Sequence, residues 1–142
     1  MNTTIITRSR LLAFTAALAV TMACDTNPLA PSDIIGDQWR LMSIVETGTT
    51  PTTIDDPSKY TLEFQDEGRI GVKSDCNTCG GPYSVSGSTI EIGPVVCTKV
   101  FCGDTSRDQA FVRALDKART ASVDDNELTI VGEGVRLNFV RD

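Results

Sequence analysis

The five cysteines are the residues of this chain whose type and spacing could do chemistry. Cys24 stands alone after an apolar segment, and the other four form the motifs Cys76-x2-Cys79 and Cys97-x4-Cys102. Four cysteines in two such motifs could form two disulfides, bind a zinc ion through four thiolates, or contain a redox-active dithiol. From spacing alone all three alternatives stay open, as do the three ways of pairing four cysteines.

The N-terminal segment indicates the compartment in which these cysteines work. Arg8 and Arg10 precede an uncharged, mostly apolar run over residues 11–23, which is the layout of a secretory signal peptide. The run is shorter than the roughly 20 residues that a membrane-spanning helix needs. Residues 20–24 resemble a bacterial lipoprotein signal, in which the cysteine is acylated and becomes the mature N-terminus. We therefore expect lipidation at Cys24.

This signal predicts the domain organisation and the location of the protein. Residues 1–23 are expected to be a lipoprotein signal peptide, residues 24–35 a polar tether that contains two prolines, and residues 36–142 a single domain. Acyl chains on Cys24 would hold the mature protein in a lipid bilayer. The expected location is the cell envelope, with the domain facing the periplasm or the exterior. The choice between inner and outer membrane stays open.

Charge and composition exclude several function classes. The chain has 13 basic and 19 acidic residues, and a net charge of −6. This balance argues against nucleic acid and anionic lipid as partners, since both need a basic patch. The chain contains no histidine, which excludes Ser-His and Cys-His nucleophile pairs and most catalytic zinc sites. The acidic pairs Asp55–Asp56 and Asp124–Asp125 read as turn residues, so we predict no catalytic site.

Alternating apolar residues predict the strands that would position the cysteines. Three hairpins with glycine-containing turns are predicted over residues 60–72, 83–92 and 128–139. Trp39, Leu41 and Val45 predict an earlier strand with a buried face, and the polar residues 47–58 predict a long loop.

A different period near the C-terminus predicts one amphipathic helix of about 12 to 14 residues. Its apolar stripe would consist of Ala110, Phe111, Ala114, Leu115 and Ala118. Ser106 and Gln109 fit a capping box at its start. The expected fold class is α+β: a mainly antiparallel sheet of about 7–8 short strands, barrel-like or curled, with this helix packed on it.

A set of short motifs runs through the chain in a fixed order. They are Trp39-Arg40-Leu41, Leu62-Glu63-Phe64, Cys76-Asn77 with Gly81-x-Tyr83, Thr98-x3-Cys102, Phe111-x3-Leu115 and Leu137-x-Phe139. Together they resemble the META domain family, also called HslJ-like, over nearly all of residues 36–141. Asp75 stands where the family usually has glycine. Cys79 and Cys97 are additions to the basic pattern.

The resemblance implies a compact β-rich fold of the kind found in envelope lipoproteins, and it implies a disulfide pairing. Cys76 and Cys102 match the family pattern and would pair with each other, which leaves the added Cys79 to pair with the added Cys97. Zinc binding is the second hypothesis, disfavoured because export delivers the chain to an oxidising compartment. Redox activity at Cys76-x2-Cys79 is the third, and no helix N-terminus follows that motif to acidify a thiol. No cofactor or metal is expected.

The resulting functional hypothesis is a non-enzymatic, membrane-anchored envelope lipoprotein with a disulfide-stapled META domain. Its role would be binding or protection of another envelope component, with a link to stress implied by the resemblance only. The partners would be the lipid bilayer, through acylated Cys24, and an unknown envelope protein, without nucleic acid. The alternative is a secreted inhibitor or binding module that blocks an envelope hydrolase with the loop over residues 47–58. A thiol redox protein is the third hypothesis.

Overall fold

A computed structural model of the chain describes residues 28–142. Within them the structure has one α-helix, α1 (Asp108–Asp116), and three short 3-10 turns. The strands are β1 (Gln38–Glu46), β2 (Thr52–Thr53), β3 (Tyr60–Gln65), β4 (Arg69–Ser74), β5 (Asn77–Ser86), β6 (Thr89–Ile92), β7 (Val96–Cys97), β8 (Ala118–Asp124), β9 (Glu127–Gly132) and β10 (Val135–Arg141). The three predicted hairpins correspond to β3–β4, β5–β6 and β9–β10.

Eight antiparallel strands close into a barrel, which confirms the predicted fold class. The order around the barrel is β1, β3, β4, β5, β6, β8, β9 and β10, and β1 closes the ring by pairing with both β3 and β10. The short strands β2 and β7 lie outside the ring and pair with β1 and β5. Closure removes the unpaired edges that an open sheet of this length would expose.

A bulge in β1 changes which of its side chains enter the core. The register with β10 shifts between Leu41 and Ser43, so Met42 is an extra residue. Trp39 and Leu41 are buried before the shift, and Ile44 is buried after it. The prediction of Val45 on the buried face is therefore wrong, because the shift moves the inward positions by one residue.

Helix α1 packs on the barrel through a buried face of Phe111, Ala114 and Leu115. The ring of Phe111 lies 6.2 Å from that of Tyr60 and 6.0 Å from that of Phe139, measured between ring centroids. These aromatic contacts join the helix to strands β3 and β10.

The helix is shorter than its apolar stripe predicts, and it begins differently. It has nine residues, because the chain from Ala118 onward pairs with β9 as strand β8. Ala118 is buried as part of that strand. The predicted capping box is absent: the Ser106 hydroxyl accepts a hydrogen bond from the backbone N–H of Asp108, and the backbone N–H of Gln109 donates to the Asp108 carboxylate.

The direction of the strands defines two ends of the barrel. At the first, the Leu29 end, β1 begins and β10 finishes, and Leu29 lies beside Val123, Asp125 and Arg141. Because neighbouring antiparallel strands alternate in direction, the turn from β4 to β5 lies at the opposite end. This second end, which carries Cys76, is called the cysteine end below.

Part of the segment predicted as a tether belongs to the fold. Leu29 and Ile34 are buried in the core, and Ile35 forms a bridge with Phe64. Leu29, Ile34 and Ile35, which the prediction assigned to the tether, are therefore part of the folded domain.

A disulfide-clamped loop as the candidate binding site

Two disulfides hold the cysteine end together. Cys76 is bonded to Cys102, with Cα atoms 5.6 Å apart, and Cys79 is bonded to Cys97, with Cα atoms 4.0 Å apart. Cys79 and Cys97 are directly opposite partners in the antiparallel pairing of β5 with β7. This is the nested connectivity that the family resemblance implied, and the two cysteines of Cys76-x2-Cys79 belong to different bonds.

Gly81 allows the segment from Pro94 to Cys97 to approach β5 closely. A Cβ atom at this position would lie 2.8 Å from the carbonyl oxygen of Pro94, which is too close for any side chain. The chain from Pro94 can therefore pass against β5 and place Val96 and Cys97 in register with Gly80 and Cys79.

Asn77, a buried side chain 4% exposed, connects the disulfides to the rest of the cysteine end. Its carbonyl oxygen Oδ1 accepts from the hydroxyl of Thr98 (2.9 Å) and from the backbone N–H of Val100 (2.8 Å). Its amide Nδ2 donates to the carbonyl oxygen of Val100 (3.0 Å), to Asp108 Oδ2 (3.1 Å) and to Cys102 Sγ (3.3 Å). One side chain thus binds the loop after β7 and the first turn of α1.

A second polar cluster joins the β4–β5 turn to the start of α1. The buried Tyr60 hydroxyl donates to Asp75 Oδ2 (3.2 Å) and accepts from the backbone N–H of Arg107 (2.9 Å). Lys59 lies 3.5 Å from Asp75 Oδ1. Hydrogen bonding from Ser106, with smaller contributions from Tyr60 and Lys59, outweighs burial and lowers the pKa of Asp75 below 3.8. The carboxylate is therefore held in its charged form.

Asp75 also explains the departure from the family pattern at this position. Its φ angle is +57°, in the left-handed region, where glycine is the least strained residue and Asp and Asn are the next most tolerated. The turn that a glycine would allow is formed here by an aspartate, and its carboxylate is anchored by Tyr60 and Lys59.

Between the two disulfide-bonded segments the chain exposes an apolar surface. We call residues 96–102 the clamped loop. Val96 is 75% exposed, Val100 56% and Phe101 80%, and these are three of the four large apolar side chains that are exposed within residues 28–142. Isolated exposed apolar residues are ordinary, but three on a short loop that is fixed by two disulfides form a patch of the kind that marks an interaction site.

The clamped loop was not predicted from the sequence, which placed the candidate surface at residues 47–58. In the structure Thr52 and Thr53 of that segment pair with β1, and the side chain of Ile54 is buried. The signal that could have identified the clamped loop is its composition. Val100 and Phe101 stand immediately before Cys102, and the chain has no acidic residue from 92 to 103.

The arrangement of the four sulfur atoms determines what chemistry they could do. All four are bonded in pairs, so thiolates for zinc or for redox exchange would require reduction of the bridges. Elsewhere in residues 28–142 no group of three or more His, Cys, Asp or Glu side chains is arranged to hold a metal ion. Asp55 and Asp56 lie exposed before a 3-10 turn, and Asp124 and Asp125 lie exposed at the β8–β9 turn.

The predicted lipidation site, Cys24, lies outside the described residues. From residue 28 onward no helix is long and apolar enough to cross a membrane.

Comparison with known proteins concerns the fold. The model of the META domain family matches residues 32–142. No curated protein sequence matches the chain. A protein from Burkholderia xenovorans, solved by NMR, is similar over 94% of this chain and 99% of its own length, with a TM-score of 0.67 and 17% identity. A DUF4847 family protein from Bacteroides vulgatus is similar over 78% of this chain and 96% of its own, with a TM-score of 0.59 and 17% identity.

Proposed function

Because this chain belongs to the META domain family, we propose that it is an envelope lipoprotein without catalytic activity, anchored through acylated Cys24. Its META domain would present the clamped loop to another component of the envelope. The observation that carries the proposal is the exposure of Val96, Val100 and Phe101 on a loop that two disulfides hold in place. A stress-related protective role, which the family resemblance implies, belongs to the same proposal.

Rigidity is the property that makes this loop suitable for binding. A flexible loop loses conformational freedom when it binds, at about 0.5–1.5 kcal/mol for each side chain that becomes ordered. Disulfides on both sides and the contacts of Asn77 with Val100 fix the backbone before any partner arrives. The apolar side chains can therefore contribute their burial to binding without a large ordering penalty.

Leu29, the first buried residue after Cys24 in the sequence, and the clamped loop lie at opposite ends of the barrel. Five Cα–Cα steps separate Cys24 from Leu29, and they span at most about 18 Å when fully extended. Acylation at Cys24 would therefore keep the Leu29 end close to the bilayer surface. The cysteine end would be the part of the domain that can reach other components.

The mass of the intact native protein tests the anchor and the disulfides together. We expect a mass that corresponds to a chain beginning at Cys24 with added acyl groups. Reduction should add about 4 Da, because each of two disulfides takes up two hydrogen atoms. A chain that begins elsewhere or lacks acyl groups would refute the anchor, and an unchanged mass on reduction would refute the disulfides.

Photo-crosslinking in intact cells tests the binding surface. A photoreactive residue replaces Phe101 in one variant and Met42, which is 37% exposed on β1, in the matched control. We expect crosslinks to an envelope lipid or protein from position 101 and few from position 42. Equal products from both positions would contradict the proposal. A crosslink from position 101 to a hydrolase would favour the alternative function, an inhibitor that uses the clamped loop.

A further inference from the structure

The charge of the clamped loop differs from that of the chain as a whole. Lys99 is its only charged residue, and the next acidic residue along the chain is the exposed Asp104. Lys73 lies two strands away, with its ammonium group 3.1 Å from the carbonyl oxygen of Ser58. Lys99 takes part in no ion pair within the described residues. An acidic chain thus presents an exposed cation beside its most exposed apolar side chains.

Acidic residues lie at both ends of the barrel. Asp33, Asp124, Asp125 and Asp142 lie at the Leu29 end, and Asp55, Asp56, Asp75 and Asp104 lie at the cysteine end. The clamped loop departs from this pattern, because the chain has no acidic residue from 92 to 103. The argument from net charge against an anionic lipid surface therefore does not apply to the clamped loop itself.

The backbone N–H of Thr98 and both backbone groups of Val100 are satisfied from inside the protein. The N–H and the carbonyl oxygen of Val100 both bind the side chain of Asn77, and the N–H of Thr98 donates to the carbonyl oxygen of Thr78 (3.0 Å). The Thr98 hydroxyl also binds Asn77. These groups at Thr98 and Val100 can therefore enter an apolar medium without becoming unpaired.

The size and charge of the loop distinguish between possible occupants. A second copy would bring Lys99 against its own counterpart in a two-fold contact, which is repulsive. Three side chains also fall far short of the roughly 800 Å² per partner that a stable protein interface buries. A lipid layer needs no matching pocket, and Val and Phe beside Lys suit the boundary between acyl chains and anionic headgroups.

We propose that the clamped loop inserts into the interface of an anionic lipid layer, with Phe101, Val100 and Val96 among the acyl chains and Lys99 at the phosphates. This deepens the proposed function by naming the component that the loop binds, and it rests on that function because export brings the loop to a lipid surface. The contact is separate from acylation of Cys24. Since Leu29 and the clamped loop lie at opposite ends of the barrel, acyl chains on Cys24 and the loop could engage one bilayer only when the barrel lies on its side.

Vesicle flotation with residues 25–142 tests the loop apart from the anchor. This part contains every residue of the described core, carries no acyl group and lacks the apolar residues 11–23. We expect it to float with vesicles of phosphatidylcholine and phosphatidylglycerol and to bind phosphatidylcholine alone more weakly. Phe101→Ser should lower the partition coefficient about tenfold or more, and Lys99→Glu about tenfold. Met42→Ser should leave it within about twofold of the parent.

The outcomes separate the lipid assignment from its rivals. Equal thermal midpoints of the parent and the Phe101→Ser variant would show that the fold is intact, as expected for a side chain 80% exposed. Binding that does not depend on Phe101, or that Met42→Ser weakens equally, would overturn the proposal. A dimer in equilibrium sedimentation that Phe101→Ser dissociates would assign the loop to a second copy instead. A monomer that floats with neither vesicle would point to a protein pocket and overturn the lipid assignment. The intact mass of the native protein reports on Cys24 independently of all of these.

Discussion

Replacement of Asn77 by alanine should destabilise this domain more than any other single change of a polar side chain at the cysteine end. The side chain is 4% exposed and makes hydrogen bonds to the Thr98 hydroxyl, to both backbone groups of Val100 and to the Asp108 carboxylate. A neutral hydrogen bond contributes about 1 kcal/mol net, and one to a charged group about 1.5–3 kcal/mol.

These contributions do not add fully, because Val100 is 56% exposed and water can replace part of what its backbone loses. We therefore expect Asn77→Ala to lower the free energy of unfolding by about 3 kcal/mol. For a domain with a total stability of about 5–15 kcal/mol this is a large fraction.

Equilibrium unfolding in urea with the disulfides intact measures this loss. With a slope of about 1.5 kcal/mol per molar urea, the midpoint should fall by about 2 M. Asn138→Ala is the matched control, because Asn138 makes a single side-chain hydrogen bond, to the Ser43 hydroxyl at 2.8 Å. We expect the control to lose about 1 kcal/mol. Equal losses in the two variants would refute the argument that Asn77 is the connection between loop and helix.

The isosteric change Asn77→Asp gives a second test, in which the loss of stability depends on pH. It keeps the acceptor oxygen but places a carboxylate against Asp108, at the position where the Asn77 amide now lies 3.1 Å from Oδ2. Repulsion should raise the pKa of the introduced carboxyl group in the folded state. The variant should therefore be nearest to wild-type stability near pH 4 and lose stability as pH rises through that raised pKa. A deficit that does not change with pH would contradict the predicted contact.

Three further predictions concern other parts of the domain. Replacing Cys79 and Cys97 together by serine should lower the free energy of unfolding by about 3 kcal/mol, as expected for a disulfide between residues 18 apart. A denaturation curve that coincides with that of the wild type would refute this. Asp75→Asn should flatten the decline of the free energy of unfolding at acid pH. Because the pKa of Asp75 is lowered in the folded state, the stabilisation by its carboxylate is fully present above pH 3.8 and is lost as pH falls below it. The same decline at acid pH in variant and wild type would refute this. Phe111→Ala should lose about 3–5 kcal/mol by leaving a cavity under helix α1, whereas Phe101→Ala should change stability by less than about 0.5 kcal/mol, and similar thermal shifts for the two would be inconsistent with their burial.

The strands could be predicted because local patterns specify them. Phe64 and Ile70 alternate with polar neighbours around the turn at Gly68, and the same pattern recurs in the other hairpins, so side-chain period and turn residues were sufficient. Strand β8 was missed because Ala118 continues the apolar stripe of the helix, and only pairing with β9 determines where the helix finishes. The bulge at Met42 has no local signature either, since it is defined by the register with β10.

The candidate site likewise has a part that the sequence predicted and a part that only the structure shows. Cysteine spacing and family resemblance pointed to the nested pairs, but neither could show that the outer surface of the second cysteine motif is apolar and exposed. That depends on which side of β5 the chain passes, which is determined by the close approach at Gly81 and by the contacts of Asn77 with Val100. Residues 47–58 looked more like a binding surface because they are polar and long, yet Ile54 is buried against the barrel.

The sequence by itself determined the features that depend on neighbouring residues: the apolar N-terminal segment before Cys24, the hairpins with their turns, and the apolar face of the helix around Phe111 and Leu115. Tertiary structure alone decided that the barrel closes, which side chains of β1 point into the core, and that Phe101 is exposed beside Lys99. The physical reason is that burial is a property of surfaces assembled from distant segments. An apolar residue in a sequence predicts burial, and only the assembled barrel shows which apolar residues stay in water.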